Sequence, residues 1–215
     1  MQAVERAYLP AAGRDWALPF YDPFVKLLGG DKARSRLLDQ AKLGSADRVL
    51  DIGSGTGTFA IRVKRLYPKV TVVGLDPDPK ALARSKKKAL RTNVRIQFDQ
   101  GFSDELPYAN ASFDRVFSSF MFHHLSADDR VPTLREVRRV LKPGGSFHLV
   151  DFSGSHGHSH GAISDKIHSS DHLKGNSDAG ILENMRQAGF IEPSKVRDGA
   201  MLFGHLRYSY FRASA

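Results

Sequence analysis

The chain has 215 residues, 41% of them apolar and 26% charged, with a mean hydropathy of -0.34 and a formal net charge of +9. This length suits one domain with a sizeable core, and residues 1–215 are expected to form one. With no cysteine there is no disulfide or thiol chemistry, no segment approaches the roughly 20 apolar residues of a membrane helix, and the opening MQAVERAYLPAAGRDW lacks a leader pattern, so a cytoplasmic protein is expected.

Helical patterning comes first, over residues 21–43, broken at Gly29 and Gly30. DRVLDIG (47–53) reads as a short apolar strand, followed after glycines by a helix, TFAIRVKRLY, that stops before Pro68. KVTVVGLD (69–76) is a second strand and PKALARSKKKALRT a second helix with Pro79 near its start. Strands are expected in VRIQFDQ and SFDRVFSSF, then a helix in DDRVPTLREVRRVL, a turn at Pro143, Gly144 and Gly145, and a fifth strand in SFHLVDF. DAGILENMRQAGF is a further helix, and the last twenty or so residues read as two strands around a Gly-containing turn.

Strand and helix alternate, which implies a Rossmann-like, doubly wound α/β fold: a mostly parallel sheet with helices on both faces. Ligands on such sheets bind beyond the carboxyl ends of the strands. Those ends carry Asp51, Gly53, Asp76, Gly101 and Ser118 to Phe120.

VLDIGSGTGTFA (49–60) is the glycine-rich loop of this sheet. No Gly-Lys-Ser or Gly-Lys-Thr follows it, which excludes a Walker phosphate loop. The dinucleotide fingerprint needs a small residue at Thr58, and Gly57 comes one place too early. Asp51 would repel a pyrophosphate and welcome a cation, while Asp76 at the end of the second strand can accept hydrogen bonds from both hydroxyls of a ribose. An adenosine with a ribose, no phosphate and a cationic amino-acid tail is S-adenosylmethionine.

VLDIGSGTG, VVGLDPDP, DELPYANASFDRVFSSFMFHHL and LREVRRVLKPGG occur in that order. On these four segments the chain resembles the class I S-adenosylmethionine-dependent methyltransferases, within them the small type 11 group that includes quinone-biosynthesis methyltransferases. The resemblance covers roughly residues 20 to 152 and implies that the terminal strand pair includes the antiparallel seventh strand of that fold. It implies S-adenosyl-L-methionine as cofactor, with Gly53, Ser54, Gly55 and Gly57 against its methionine and sugar parts. Asp51 would lie near the sulfonium, Asp76 on the ribose, and Pro77 and Asp78 beside adenine. The family places an Asp-Ala pair after the third strand, where this chain has Phe102 and Ser103 after Gly101; Phe102 is expected to pack on adenine, and Asp99 to be structural. Ser118, Ser119 and Phe120 complete the expected cofactor site. Tyr21, with Phe20, matches aromatic positions that close over the cofactor, while Trp16 reads equally as core.

His123 and His124 follow the fourth strand near the expected acceptor and are the candidate catalytic bases, His123 preferred as the first after the strand and the closer to the expected cofactor methyl, with helix capping or packing as the alternative. Residues 154–172 hold five histidines. The alternate ones, His156, His158 and His160, read as a loop that binds metal only adventitiously, and no metal site is expected. By this reading residues 1–44 are a helical cover, 45–152 the cofactor-binding core, 153–178 a substrate-side insertion, and 179–215 the last helix and strand pair. RSKKKALRTNVR (84–95) reads as a solvated helix face without aromatics for base stacking. The expected partner is therefore a small-molecule methyl acceptor rather than nucleic acid, with the protein a monomer or dimer. The alternatives are an RNA methyltransferase and a non-catalytic S-adenosylmethionine-binding accessory protein.

Overall fold

A computed structural model describes residues 29–152, 176–201 and 206–215. In chain order the elements are α1 (Gly30–Ala41), β1 (Arg48–Ile52), α2 (Thr58–Leu66), β2 (Thr71–Asp76), α3 (Pro79–Arg91) and β3 (Gln97–Gln100). Then come β4 (Phe113–Ser119), a 3-10 turn (Phe122–His124), α4 (Ala127–Val140), β5 (Leu141–Phe152), α5 (Asp178–Gln187), β6 (Ile191–Met201) and β7 (Leu206–Ser214). They form a seven-stranded sheet in the order β3-β2-β1-β4-β5-β7-β6. The first five strands in that order are parallel, and β7 runs antiparallel to both β5 and β6. This is the doubly wound α/β architecture that strand-helix alternation implied, with its antiparallel strand.

Alternation along the central strands divides the core between the two faces. Val49, Val72, Phe117, Val150 and Tyr210 join the cluster that contains Leu37 of α1, Val63 of α2 and Leu82 of α3. Their neighbours Leu50, Val73, Val116, Leu149 and Phe211 join the opposite cluster, with Leu134 of α4 and Met185 of α5. The period-two pleat thus feeds apolar side chains to helices on both sides, which is why these strands read as continuous apolar runs.

Helix starts are set by local hydrogen bonding. Asp78 caps α3 by accepting from the Lys80 amide at 2.8 Å, with Pro79 in the first turn. Ser126 accepts from the Asp129 amide ahead of α4, and Ser177 from the Gly180 amide ahead of α5. Two boundaries differ from the sequence reading. The third strand begins only at Gln97, since the Val94 amide instead bonds Ala89 O to close the end of α3. The Pro143-Gly144-Gly145 turn lies inside β5, where the register jumps from Phe113↔Leu141 to Arg115↔Ser146 and Gly144 has φ +77°. Leu141 pairs before the turn because α4 delivers the chain directly beside β4.

Helix α1 is fastened to the antiparallel end of the sheet. Gln40 Nε2 donates to Phe211 O at 3.0 Å and contacts His148 Nδ1 at 3.1 Å, and the Tyr210 hydroxyl donates to Ala33 O. Burial drives the His148 imidazole down to about 3, so the ring that links Gln40 to Ser146 Oγ (2.9 Å) is neutral. Among the described residues, no helix is long and apolar enough to cross a membrane.

Gly57 heads α2 with φ +75°, and an added Cβ there would sit 2.7 Å from Ser85 Cβ and 2.9 Å from Phe98 Cζ. Left-handed strain and overpacking together should make Gly57→Ala less stable by about 2–4 kcal/mol in urea unfolding. An unchanged midpoint would show that α3 yields to the methyl group.

Candidate active site

Strand order reverses direction between β1 and β4, and the crevice beyond their carboxyl ends is where such sheets hold ligands. A cavity of about 420 Å³ opens there, within the size range of small-molecule sites. Its floor is the loop after β1. Gly53, Gly55 and Gly57 take φ of +65°, +52° and +75°, a region that glycine enters without strain. A Cβ at Gly53 would also run into Met121, so this glycine lets the chain after β4 close over the loop.

The loop is held by Asp76. Its Oδ2 accepts from the Gly55 amide at 2.7 Å and its Oδ1 from the Asp78 amide at 3.0 Å. Each oxygen retains a lone pair for a further donor. Burial pushes the Asp76 carboxyl up to about 6, against the pull of these two amides.

Asp51 lies beside it near the end of β1, 2% exposed. Burial raises its carboxyl to about 7; Arg34 pulls it down and Asp76 pushes it up, while the Ala60 amide bonds it from the first turn of α2. Its Oδ2 is buried without a hydrogen-bond partner, as is Ser54 Oγ. A buried carboxylate with an unused acceptor marks a position for a cation or a donor.

Arg34 is a lining residue that the sequence reading did not single out. It projects from α1, is 6% exposed, and donates from Nε to Ser119 Oγ at 3.2 Å. A signal was present: Gly30, Ala33, Arg34, Leu37, Leu38 and Ala41 form the buried stripe of α1, and Arg34 is its charged member. Asp104, Leu125, Ser126 and Asp129 also line the cavity.

Of the residues singled out from sequence, Asp51, Gly53, Ser54, Gly55, Asp76, Pro77, Gly101, Phe102, Ser103, Ser119, Phe120 and His124 line the cavity. Phe120 does so with φ +57°, an unusual backbone for a bulky residue, its ring packed on Phe152 and Tyr208. Gly57, Asp78, Ser118 and His123 are not in the lining. Gly57 heads α2 against Ser85 of α3 and Phe98 of β3, Asp78 caps α3, and Ser118 is fully buried in β4. His123 is turned toward β5, where its Nδ1 lies 2.6 Å from Asp151 Oδ1 and its amide donates to Asp151 Oδ2. Asp151 is wholly buried, and the His123 ring packs at a tilt on His124, centroids 4.1 Å apart. Asp99 accepts from Tyr108 and Gln97 outside the cavity, a structural role. Trp16, Phe20, Tyr21, His156, His158 and His160 lie outside the described residues.

Residues 49–145 match the family described as the methyltransferase domain. The demethylmenaquinone methyltransferase of Deinococcus radiodurans is 37% identical over 154 residues, 70% of this chain and 61% of that protein. The 27-O-demethylrifamycin SV methyltransferase of Amycolatopsis mediterranei is 38% identical over 128 residues, 57% of this chain and 46% of that one. The chain therefore spans about half to three fifths of the length of these relatives. Phosphoethanolamine N-methyltransferase 2 of Haemonchus contortus, solved with S-adenosyl-L-methionine, has the same fold: TM-score 0.76 at 17% identity, over 95% of this chain and 58% of that one.

The raised carboxyl of Asp51 has a sign that can be checked. A folded-state value above the unfolded one means that stability is lost as pH rises from about 4 through about 7 and stays lost above it. Asp51→Asn removes that charge, so the variant should melt higher than the parent near about pH 8 and lose the advantage near about pH 5. A lower melting temperature at both would mean that the carboxylate is compensated in the folded state. Over residues 49–145, and in the fold that surrounds them, the chain is thus similar to methyltransferases.

Proposed function

We propose that this protein is an enzyme that transfers the methyl group of S-adenosylmethionine to a small-molecule acceptor, and that it does so in the cytoplasm. The observation that carries this reading is the pair of buried carboxylates, Asp51 with an unused Oδ2 and Asp76 holding the glycine loop, at the floor of a cavity of about 420 Å³. The residues present fit the cofactor. Asp51 faces its positive charge, the outer lone pairs of Asp76 suit the ribose hydroxyls, and Phe102 and Pro77 are apolar neighbours for adenine. Among the described residues Arg34 is the one lysine or arginine in the lining, and it suits the methionine carboxylate. The relatives support a small acceptor, since one is named for a menaquinone precursor and another for a rifamycin.

When bound, the cofactor supplies an electrophilic methyl group on a cationic sulfur, so the protein chiefly aligns donor and acceptor and excludes water. The lining beyond the glycine loop is the acceptor side: Met121 and Leu125 give it an apolar wall, and His124 a group able to take a proton. His124 is the member of the histidine pair in the cavity, and we assign it the contact with an acceptor that must lose a proton. His123, fixed by Asp151, packs against it from behind.

S-adenosylmethionine and S-adenosylhomocysteine should raise the melting temperature, whereas NAD should not. Because the cofactor cation favours ionised Asp51 and Asp76, binding below neutrality should release a proton, and affinity should rise about tenfold between about pH 5.5 and pH 7.5. Calorimetry in buffers of different ionisation enthalpy reads this directly. A pH-independent affinity would sink the role given to the carboxylate pair.

The histidine assignment is tested by turnover. His124→Asn should lower kcat by roughly 10²–10⁴-fold for a proton-losing acceptor, with cofactor affinity and melting temperature unchanged. His123→Asn should instead lower the melting temperature, since it disturbs the ring contact to buried Asp151. Full turnover in His124→Asn would reassign the base.

A further inference from the structure

The positive charge of the chain is concentrated in one place. Residues 58–75 and 79–98 contain eleven Lys and Arg and no carboxylate, whereas the rest of the chain holds 21 cations against 23 carboxylates. Both segments belong to the neighbouring units α2-β2 and α3-β3. Because β1, β2 and β3 are parallel, the carboxyl ends of α2 and α3 meet the starts of β2 and β3, at the opposite edge of the sheet from the cavity. The charge at those helix ends therefore lies away from the site already described, Lys88 excepted, whose Nζ donates to Thr56 and Thr58 of the cavity lining.

That edge also exposes apolar side chains. Leu90, in the last turn of α3, is 82% exposed, and Leu66, at the end of α2, is 59% exposed. A groove there is lined by Leu90, Val94 and Ile96 on its apolar side and by Lys86 and Arg95 on its basic side. Not every cation is available: Lys64 Nζ donates to Pro68 O and Val70 O, and Lys88 Nζ to the hydroxyls of Thr56 and Thr58. Lys86, Lys87, Arg91 and Arg95 are exposed around Leu90, on a surface whose two segments contain no acidic residue to neutralise them.

We propose that this edge is a docking surface for an anionic lipid bilayer. Exposed lysines and arginines are drawn to acidic headgroups, and two protruding leucines can enter the headgroup boundary beside them. A nucleic acid would use the cations but gain nothing from the leucines, and among the described residues the aromatic ring beside them, Tyr67, is half-buried against the core rather than presented for base stacking. Its position sets the orientation: a chain docked by this edge keeps the cavity on the side away from the bilayer. The surface thus locates the protein at a membrane without covering the site, and the proposal stands whatever the acceptor is.

Co-sedimentation with vesicles tests it. The protein should bind vesicles of phosphatidylcholine with about 30% phosphatidylglycerol at least about tenfold more tightly than phosphatidylcholine alone. Raising salt to about 500 mM should release it. Lys86→Glu/Lys87→Glu should abolish binding, and Leu66→Ser/Leu90→Ser, with the charge intact, should weaken it several-fold. All four side chains are exposed, so both variants should retain the parent's melting temperature and its thermal shift with S-adenosylmethionine. No binding to the anionic vesicles, binding unaffected by the leucine pair, or tighter binding to single-stranded RNA than to the vesicles would each overturn the proposal.

Discussion

Two carboxylates buried side by side at the ends of β1 and β2 govern the architecture of the cavity. Neither is neutralised in the way that a structural aspartate usually is. Asp76 spends its inner lone pairs on the amides of Gly55 and Asp78, which holds the glycine loop in its left-handed course. Asp51 accepts from the first turn of α2 and leaves Oδ2 without a partner. Burial raises both carboxyls, so the folded chain carries an electrostatic cost that a cationic ligand relieves. A group that lowers stability and faces a cavity is most simply understood as part of a binding site.

The antiparallel end of the sheet serves the same cavity from a distance. Strand β7 anchors α1 through Gln40 and Tyr210, and α1 carries Arg34 over the crevice to Ser119. A residue in the first described helix is thus positioned by residues near the end of the chain. Neutral His148 belongs to this anchor, since a protonated ring would place a charge in the sheet between Arg115 and Arg212. The second support is on β5, where Asp151 fixes His123 and so sets the course of the 3-10 turn that presents His124.

The sheet therefore has two electrostatic ends. Where the parallel strands finish, carboxylates are buried around a concave site; where they begin, on the β2-β3 side, cations are exposed around two leucines. The separation follows from the βαβ connection itself. Each helix returns the chain to the edge opposite the ligand, so residues at helix ends and residues at strand ends cannot compete for one surface.

Much of this molecule was legible in the order of its residues. Apolar runs between glycines and helical patterns marked the strands, because strands buried on both faces need no alternation. Asp51, Gly53, Gly55 and Asp76 were readable because their roles are local: each stands within three residues of a strand end, where the chain must turn and the ligand must lie. Sequence did not reveal Arg34 and Asp151, which reach the site or its histidines only because α1 packs across β5 and β7 and because β5 lies beside β4. Order along the chain favoured His123, the first after the strand, and the structure instead turns His124 to the cavity. Adjacent residues in a 3-10 turn point in different directions, and only the position of β5 decides that His123 meets Asp151 while His124 faces the cavity. Local backbone chemistry is written in neighbouring residues; contacts across 28 or 85 positions exist only once the sheet has brought them together.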